Sequence, residues 1–599
     1  MARLRAMRHV KHQLVLPALV FLFAACAMTL ASFAADSPTP RPSAQPAAAD
    51  DSAFRVQVSK FIESEMRMFP QHATGIGDHR FDNRMNDLSA SGIAAEIAHA
   101  YEWQKTFSAY NPQSLSPDNE ADREWLLAHL DSELLSTRQI RDYERDPGMY
   151  LPTAAVYSLV QRSFAPPEVR IALVTAREKA SLANLEAARK NLEPARTPKV
   201  AIDIVLDQMA GTLNFFRTEL PAAFAPVPDT APEKQEFARA NAVTIAAIEK
   251  YRDWLSSDLR AHAAGDYAIG AQAYREMLAD SDMVDIPLAQ LERVGEKELA
   301  RLQNELRKTA AEIDPKHSPA EVAAALSREH PARDQVLPAV TAGLSEIRSY
   351  VVTHHLATIP SEVPPLVRET PPFMRATTFA SMDTPGPLEK APEAYFYVTL
   401  PDPSWPPERT EQLLQFFSGP AISDTSVHEV YPGHYVQFLN NRLNPDLVRS
   451  IFHSGANAEG WALYCEQMML DEGLHRGDPK YRLAQLQMAL LRACRYLVGL
   501  RMHTGGMTVE QAAAFFQQNS YVSPHNAMVE ALRGTEDPGY LRYQLGKLMI
   551  LKLREDVRRK QGSAFDIGKF HDAFLRQGAM PIKLIRRAML DSDGPLLQP

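Results

Sequence analysis

The chain has 599 residues, 45% of them hydrophobic and 23% charged, with a formal net charge of −9. This is the length of several ordinary domains or one large helical enzyme, with the composition of a globular protein. No basic run offsets the acidic balance, which argues against a nucleic-acid partner.

Residues 1–35 read as a signal peptide. Arg3, Arg5, Arg8 and Lys11 precede an apolar run over 14–30, and mostly small residues follow at 31–35. Phe23-Ala24-Ala25-Cys26 is an imperfect lipoprotein box, since its first position would normally be Leu. A cleaved leader, a lipid anchor at Cys26 and an uncleaved anchor therefore all stay open, and no other stretch is apolar enough to span a bilayer. Removing the leader makes the chain more acidic still, and an exported, periplasmic location is expected. Residues 36–52 are rich in Pro, Ala and Ser and read as a disordered linker. The other two cysteines, Cys465 and Cys494, lie in apolar helical contexts that suit buried thiols, although an exported compartment would permit a disulfide.

Residues 53–599 read as one helical unit, with an N-terminal lobe over 53–311 and a second lobe over 312–599. Apolar periodicity predicts helices over 94–109, 121–136, 167–191, 201–220 and 232–264, broken at Asn111-Pro112, Asp146-Pro147-Gly148, Ala165-Pro166-Pro167, Pro194 and Pro221. His72 and His79 lie in an irregular stretch and read as structural or surface residues. Between 360 and 405 Pro becomes dense and β-type runs occur at 366–369, 377–381 and 394–400. These predict a small antiparallel sheet with one edge facing a cleft. The last run, holding Tyr395 and Tyr397, is the candidate substrate-binding strand, by strand addition; a hairpin that merely covers the bundle is the plain alternative.

The stretch with the most chemical content is His428-Glu429-Val430-Tyr431-Pro432-Gly433-His434. It opens as the zinc-peptidase motif H-E-x-x-H does, where two histidines one turn apart hold the metal and the glutamate acts on its water. Here the second histidine comes six residues on, roughly 240° round an ideal helix. Pro432 collides with the carbonyl four residues back and Gly433 relaxes the backbone, so a local bulge can return His434 to the face of His428. A surface helix end with a Pro-Gly turn is the alternative.

Downstream, Ala458-Glu459-Gly460-Trp461-Ala462 opens a second helix, and Glu459 is placed to be a third ligand. Two imidazoles, one carboxylate and an open position make a catalytic zinc site; an ordinary carboxylate at a helix N-terminus would carry the same residue. Asp424, four residues before His428, is either a partner that orients it or an N-cap. Glu466, seven residues after Glu459, shares its helix face and is a candidate orienting carboxylate.

HEVYPGH followed by AEGWALYCE resembles the bacterial "domain of unknown function 885" family, whose members carry His-Glu-x-x-Pro-Gly-His and then Glu-Gly-Trp-Ala. The resemblance runs from Phe69-Pro70 and Ala73-Thr74-Gly75 to Tyr543. It implies a mainly α, zincin-like fold, distantly similar to thermostable-carboxypeptidase and neurolysin-like enzymes, with one zinc ion on His428, His434 and Glu459. An expanded H-E-x-x-H also occurs in the dipeptidyl-peptidase-three family. The implied reaction is hydrolysis of an amide bond in a short peptide, with Glu429 as the base. Tyr543, in a segment that resembles the family's Tyr-x-x-Gly, is the first candidate to stabilise the oxyanion, ahead of His503 and Arg533. A non-catalytic metal- or peptide-binding protein and a zinc hydrolase of a non-peptide amide or ester are the alternatives. The sequence carries no signal for oligomeric state.

Overall fold

The computed structural model describes residues 49–598 except 372, 373, 376 and 377. The expected signal peptide, the anchor at Cys26 and most of the linker lie outside the described residues. The linker is shorter than its composition suggests, because the first helix already begins at Ala49. No helix among the described residues is long and apolar enough to cross a membrane.

The architecture is mainly helical. The N-terminal half supplies α1 (Ala49–Met68), α2 (Ala90–Ser108), α3 (Pro117–Leu134), α4 (Pro167–Asn191), α5 (Pro232–Trp254), α6 (Ala271–Asp282) and α7 (Leu288–Ile313). Their starts follow local chemistry. Ser89 and Ser116 cap α2 and α3, accepting from the backbone N–H three residues on. Proline opens α3, α4 and α5, where a missing N–H costs nothing.

The expected boundary near residue 311 is not where the cores divide. Residues of α1, α3, α6 and α7 share one hydrophobic core with the C-terminal half, while Tyr150–Leu259 encloses a core of its own. α7 packs along a long later helix and so belongs to the main core. Sequence periodicity shows which face of a helix is apolar but not which distant partner covers it.

Three strands follow: β1 (Leu366–Glu369), β2 (Ala380–Asp383) and β3 (Tyr395–Val398). Their order is β1-β3-β2, with β1 parallel and β2 antiparallel to β3. The sheet is therefore mixed, not antiparallel, and β3 is its central strand. Every residue of β3 is buried, as an unbroken aromatic and apolar run requires when neighbours cover both faces and both edges.

The second half continues with α8 (Gly419–Glu429), α9 (His434–Leu443), α10 (Gly455–Asp471), α11 (Pro479–Thr504), α12 (Pro524–Glu536) and α13 (Arg542–Gln561). α10 and α13 pack on each other over most of their length, and α7 lies along α11. The α10–α13 approach is backbone to backbone: a Cβ on Gly546 would stand 1.8 Å from the Ala456 carbonyl oxygen, and one on Gly460 would stand 2.5 Å from the Gly546 Cα. Asp282, at the end of α6, locks this corner. Its carboxylate accepts from the Ser454 hydroxyl (2.8 Å), the Ala456 N–H (2.9 Å) and Arg542 Nε (2.7 Å). Cys465 and Cys494 are buried free thiols.

Candidate metal centre

The bulge expected between His428 and His434 is a complete break. α8 ends at Glu429 and α9 begins at His434, with a tight loop between them. The loop folds back on the end of α8. The Val430 and Tyr431 N–H groups both donate to the Ser426 carbonyl, and the Gly433 N–H donates to that of Val427. Gly433 presses against this helix end so closely that a Cβ there would lie 1.8 Å from the His428 carbonyl oxygen. From the other side Trp461, fully buried, donates its indole N–H to the Pro432 carbonyl at 2.9 Å. The tryptophan of the Glu-Gly-Trp-Ala segment thus pins the loop of the first motif, a role the sequence does not reveal.

This packing brings His428, His434 and Glu459 together, so that one ligand atom of each lies within 4.8 Å of the others. Glu459 Oε2 is 3.7 Å from His428 Nε2 and 3.5 Å from His434 Nε2. Both separations are too long for good hydrogen bonds, and Glu459 Oε2 is buried without a hydrogen-bond partner. They match the spacing of roughly 3.4 Å between donors about 2.1 Å from one tetrahedral ion. The donor set therefore fits a divalent metal. The imidazole planes stand nearly perpendicular, 88° apart, and His434 stacks on Phe438.

The surroundings orient the ligands. His428 Nδ1 donates to Glu466 Oε1 at 2.7 Å, which leaves its Nε2 lone pair facing Glu459. Burial pushes the His428 imidazole down, but the Glu459 and Glu466 carboxylates outweigh it and raise it to about 10. Burial would likewise raise Glu459, yet the two histidines hold it well below the usual carboxylate range. A cation entering this cluster displaces a proton. Asp424 is no N-cap, because α8 begins six residues earlier than that role needs; it lies buried mid-helix, pushed well above its usual range by burial and by the charge of Glu466. Glu429 is itself buried, and no described residue donates a hydrogen bond to its carboxylate.

Of the other candidates, Tyr543 and Arg533 are brought together and His503 is not. The Tyr543 hydroxyl accepts from Arg533 Nη2 at 3.0 Å, so its own proton remains available to donate. Burial and the nearby Glu459 charge raise this phenol to about 12, which keeps it protonated at neutral pH. His503 is occupied elsewhere: its Nε2 donates to the Gly534 carbonyl at 2.8 Å and its ring packs against Tyr274 and Tyr267. Tyr395 and Tyr397 are not a substrate-binding edge. Their strand is paired on both sides, Tyr395 lies beneath Arg368, and the Tyr397 hydroxyl meets that of Tyr157 at 3.1 Å. The edge strand that packs beside α8 and α9 is β2.

The cluster is partly open to solvent. Glu459 keeps 30% side-chain exposure although burial is the largest influence on its charge. His453, in contact with Phe438, is exposed.

The family model for "Bacterial protein of unknown function (DUF885)" matches residues 70–589. The chain belongs to the DUF885 family. Among solved structures, this DUF885 protein is similar to one described as a candidate lipoprotein of unknown function from Shewanella oneidensis. The two are 26% identical with a TM-score of 0.76, over 90% of this chain and 99% of the other. A candidate lipoprotein from Colwellia psychrerythraea is 19% identical, with a TM-score of 0.74 over the same shares. An M32 carboxypeptidase from Deinococcus radiodurans R1 aligns over 91% of this chain and 96% of its own, but at 11% identity and a TM-score of 0.35 it carries no inference. Among curated proteins none matches.

Proposed function

We propose that this DUF885 protein is an exported zinc-dependent peptidase that hydrolyses amide bonds in short peptides. The observation that carries the reading is the His428–His434–Glu459 cluster, whose donor atoms stand at ligand–ligand spacing around an unpartnered Glu459 oxygen. Zinc held there would supply Lewis acidity and lower the pKa of water. Glu429, next in sequence to His428 and free of hydrogen bonds from described residues, takes the proton of the attacking water and returns it to the leaving amine. Tyr543 donates its hydroxyl proton to the oxyanion, with Arg533 holding the phenol in place. The leader and the candidate lipoproteins among its structural relatives support export.

Metal analysis of the purified protein, with cleavage of a peptide library read by mass spectrometry, tests this reading. Zinc bound through His434 together with metal-dependent cleavage supports it. Zinc bound with no cleavage of any peptide would leave a binding protein or a hydrolase of other amides and esters.

Two variants probe the parts. Tyr543→Phe is expected to lower kcat about a hundredfold to a thousandfold with zinc retained; an unchanged kcat removes the phenol from the chemistry. Glu466→Gln is expected to weaken zinc binding about ten- to a hundredfold in competition with a metal buffer, because the amide is a poorer acceptor for His428 Nδ1.

A further inference from the structure

A second group of potential ligands stands outside this centre, on α1, α2 and α3. His129 and Glu133 are one turn apart on α3 and share a face. Glu65 reaches them from α1. His129 Nε2 is 3.3 Å from Glu133 Oε1 and 4.0 Å from Glu65 Oε2, and one ligand atom of each residue lies within 4.8 Å of the others. Glu65 is only 2% exposed, yet its Oε1 accepts no hydrogen bond; His129 Nε2 and Glu133 Oε2 are buried and unpartnered as well.

His99 on α2 sharpens the point. Ser64 donates its one hydroxyl proton to the Phe61 carbonyl at 2.8 Å, so it must accept from His99 Nε2 at 2.9 Å. His99 Nδ1 stands 3.3 Å from Glu65 Oε1, and both atoms are buried without a hydrogen-bond partner. Buried carboxylates that converge require positive charge among them.

We propose that Glu65, His129 and Glu133 form a second divalent-cation site, with His99 positioning Glu65. One imidazole and two carboxylates suit zinc or manganese. A chain of ring contacts links the site to the first centre. The His129 ring is 4.4 Å from that of Phe452, the residue before His453, and His453 touches Phe438, on which His434 stacks. An ion there ties the N-terminal helices α1 and α3 to each other.

A proton shared within the cluster is the competing occupant, since burial and the charge of Glu133 raise Glu65 to about 7 while its carboxylate partners raise His129 to about 10 against burial. Metal stoichiometry separates the two. The full chain is saturated with zinc alone, dialysed against a weak chelator and analysed for bound metal. The wild type is expected to hold one equivalent more than His129→Ala or Glu133→Gln. His434→Ala is expected to lose the first centre's equivalent and keep this one. His99→Ala should retain the second equivalent with about ten- to a hundredfold weaker affinity. If His129→Ala does not fold, Glu133→Gln carries the comparison. Equal metal content in wild type and Glu133→Gln overturns the proposal, as does a His434→Ala protein that holds no zinc. Neither result touches the peptidase reading, which stands or falls on the equivalent lost in His434→Ala.

Discussion

Glu429→Gln is expected to bind zinc as the wild type does and to hydrolyse peptides about a hundred- to ten-thousandfold more slowly, the range general acid–base groups contribute. The carboxamide keeps the shape of the side chain but cannot take a proton. Glu429 is the last residue of α8, and no described residue donates a hydrogen bond to its carboxylate, so the substitution removes no hydrogen bond. The measurement is single-turnover cleavage at saturating metal, with bound zinc quantified in the same sample. A glutamine variant that cleaves at the wild-type rate would remove Glu429 from the mechanism and leave the cluster as a binding site.

The second large effect falls on a residue with no side chain. Gly433→Ala should lower stability by about 1–3 kcal/mol, as overpacking does, and weaken zinc binding about a hundredfold, the upper end of what displaced ligand support costs. The added methyl would meet the His428 carbonyl oxygen at 1.8 Å and that of Val427 at 2.4 Å. Those are backbone atoms of α8, so no side chain can swing aside. Either the helix end or the loop must shift, and a shift at either moves His434 away from His428. Thermal melts with and without zinc measure both quantities. If the variant melts as the wild type does and keeps its zinc-dependent rise, the loop is not the support described above.

Much of the centre was legible from residue spacing. His-Glu followed by Pro-Gly announced that a straight helix could not serve both imidazoles. The interval between Glu459 and Glu466 put the two carboxylates on one face of α10, where the second reaches His428 Nδ1. The start of α4 was fixed locally by the prolines that open it. What escaped was non-local. An aromatic run identifies a strand but not its neighbours, so β3 read as an edge when it is the middle of a mixed sheet. His503 sits near a helix end in the right part of the chain, yet only the fold shows that Gly534 and Tyr274 claim it. Trp461 gave no hint in sequence that its indole reaches back to Pro432, and the large separations between Glu65, His99 and His129 concealed their convergence.

Gly460 and Gly546 have a further bearing on Glu459 and Tyr543, which sit one and three residues from them. Because main chain touches main chain there, no flexible spacer separates the helix that bears the carboxylate from the one that bears the phenol. The span between these two groups is set by peptide dimensions and has no slack to take up as the temperature changes. Working geometry of this kind should hold constant on warming until the whole molecule melts, so the turnover rate should follow a single unbroken Arrhenius line up to that point.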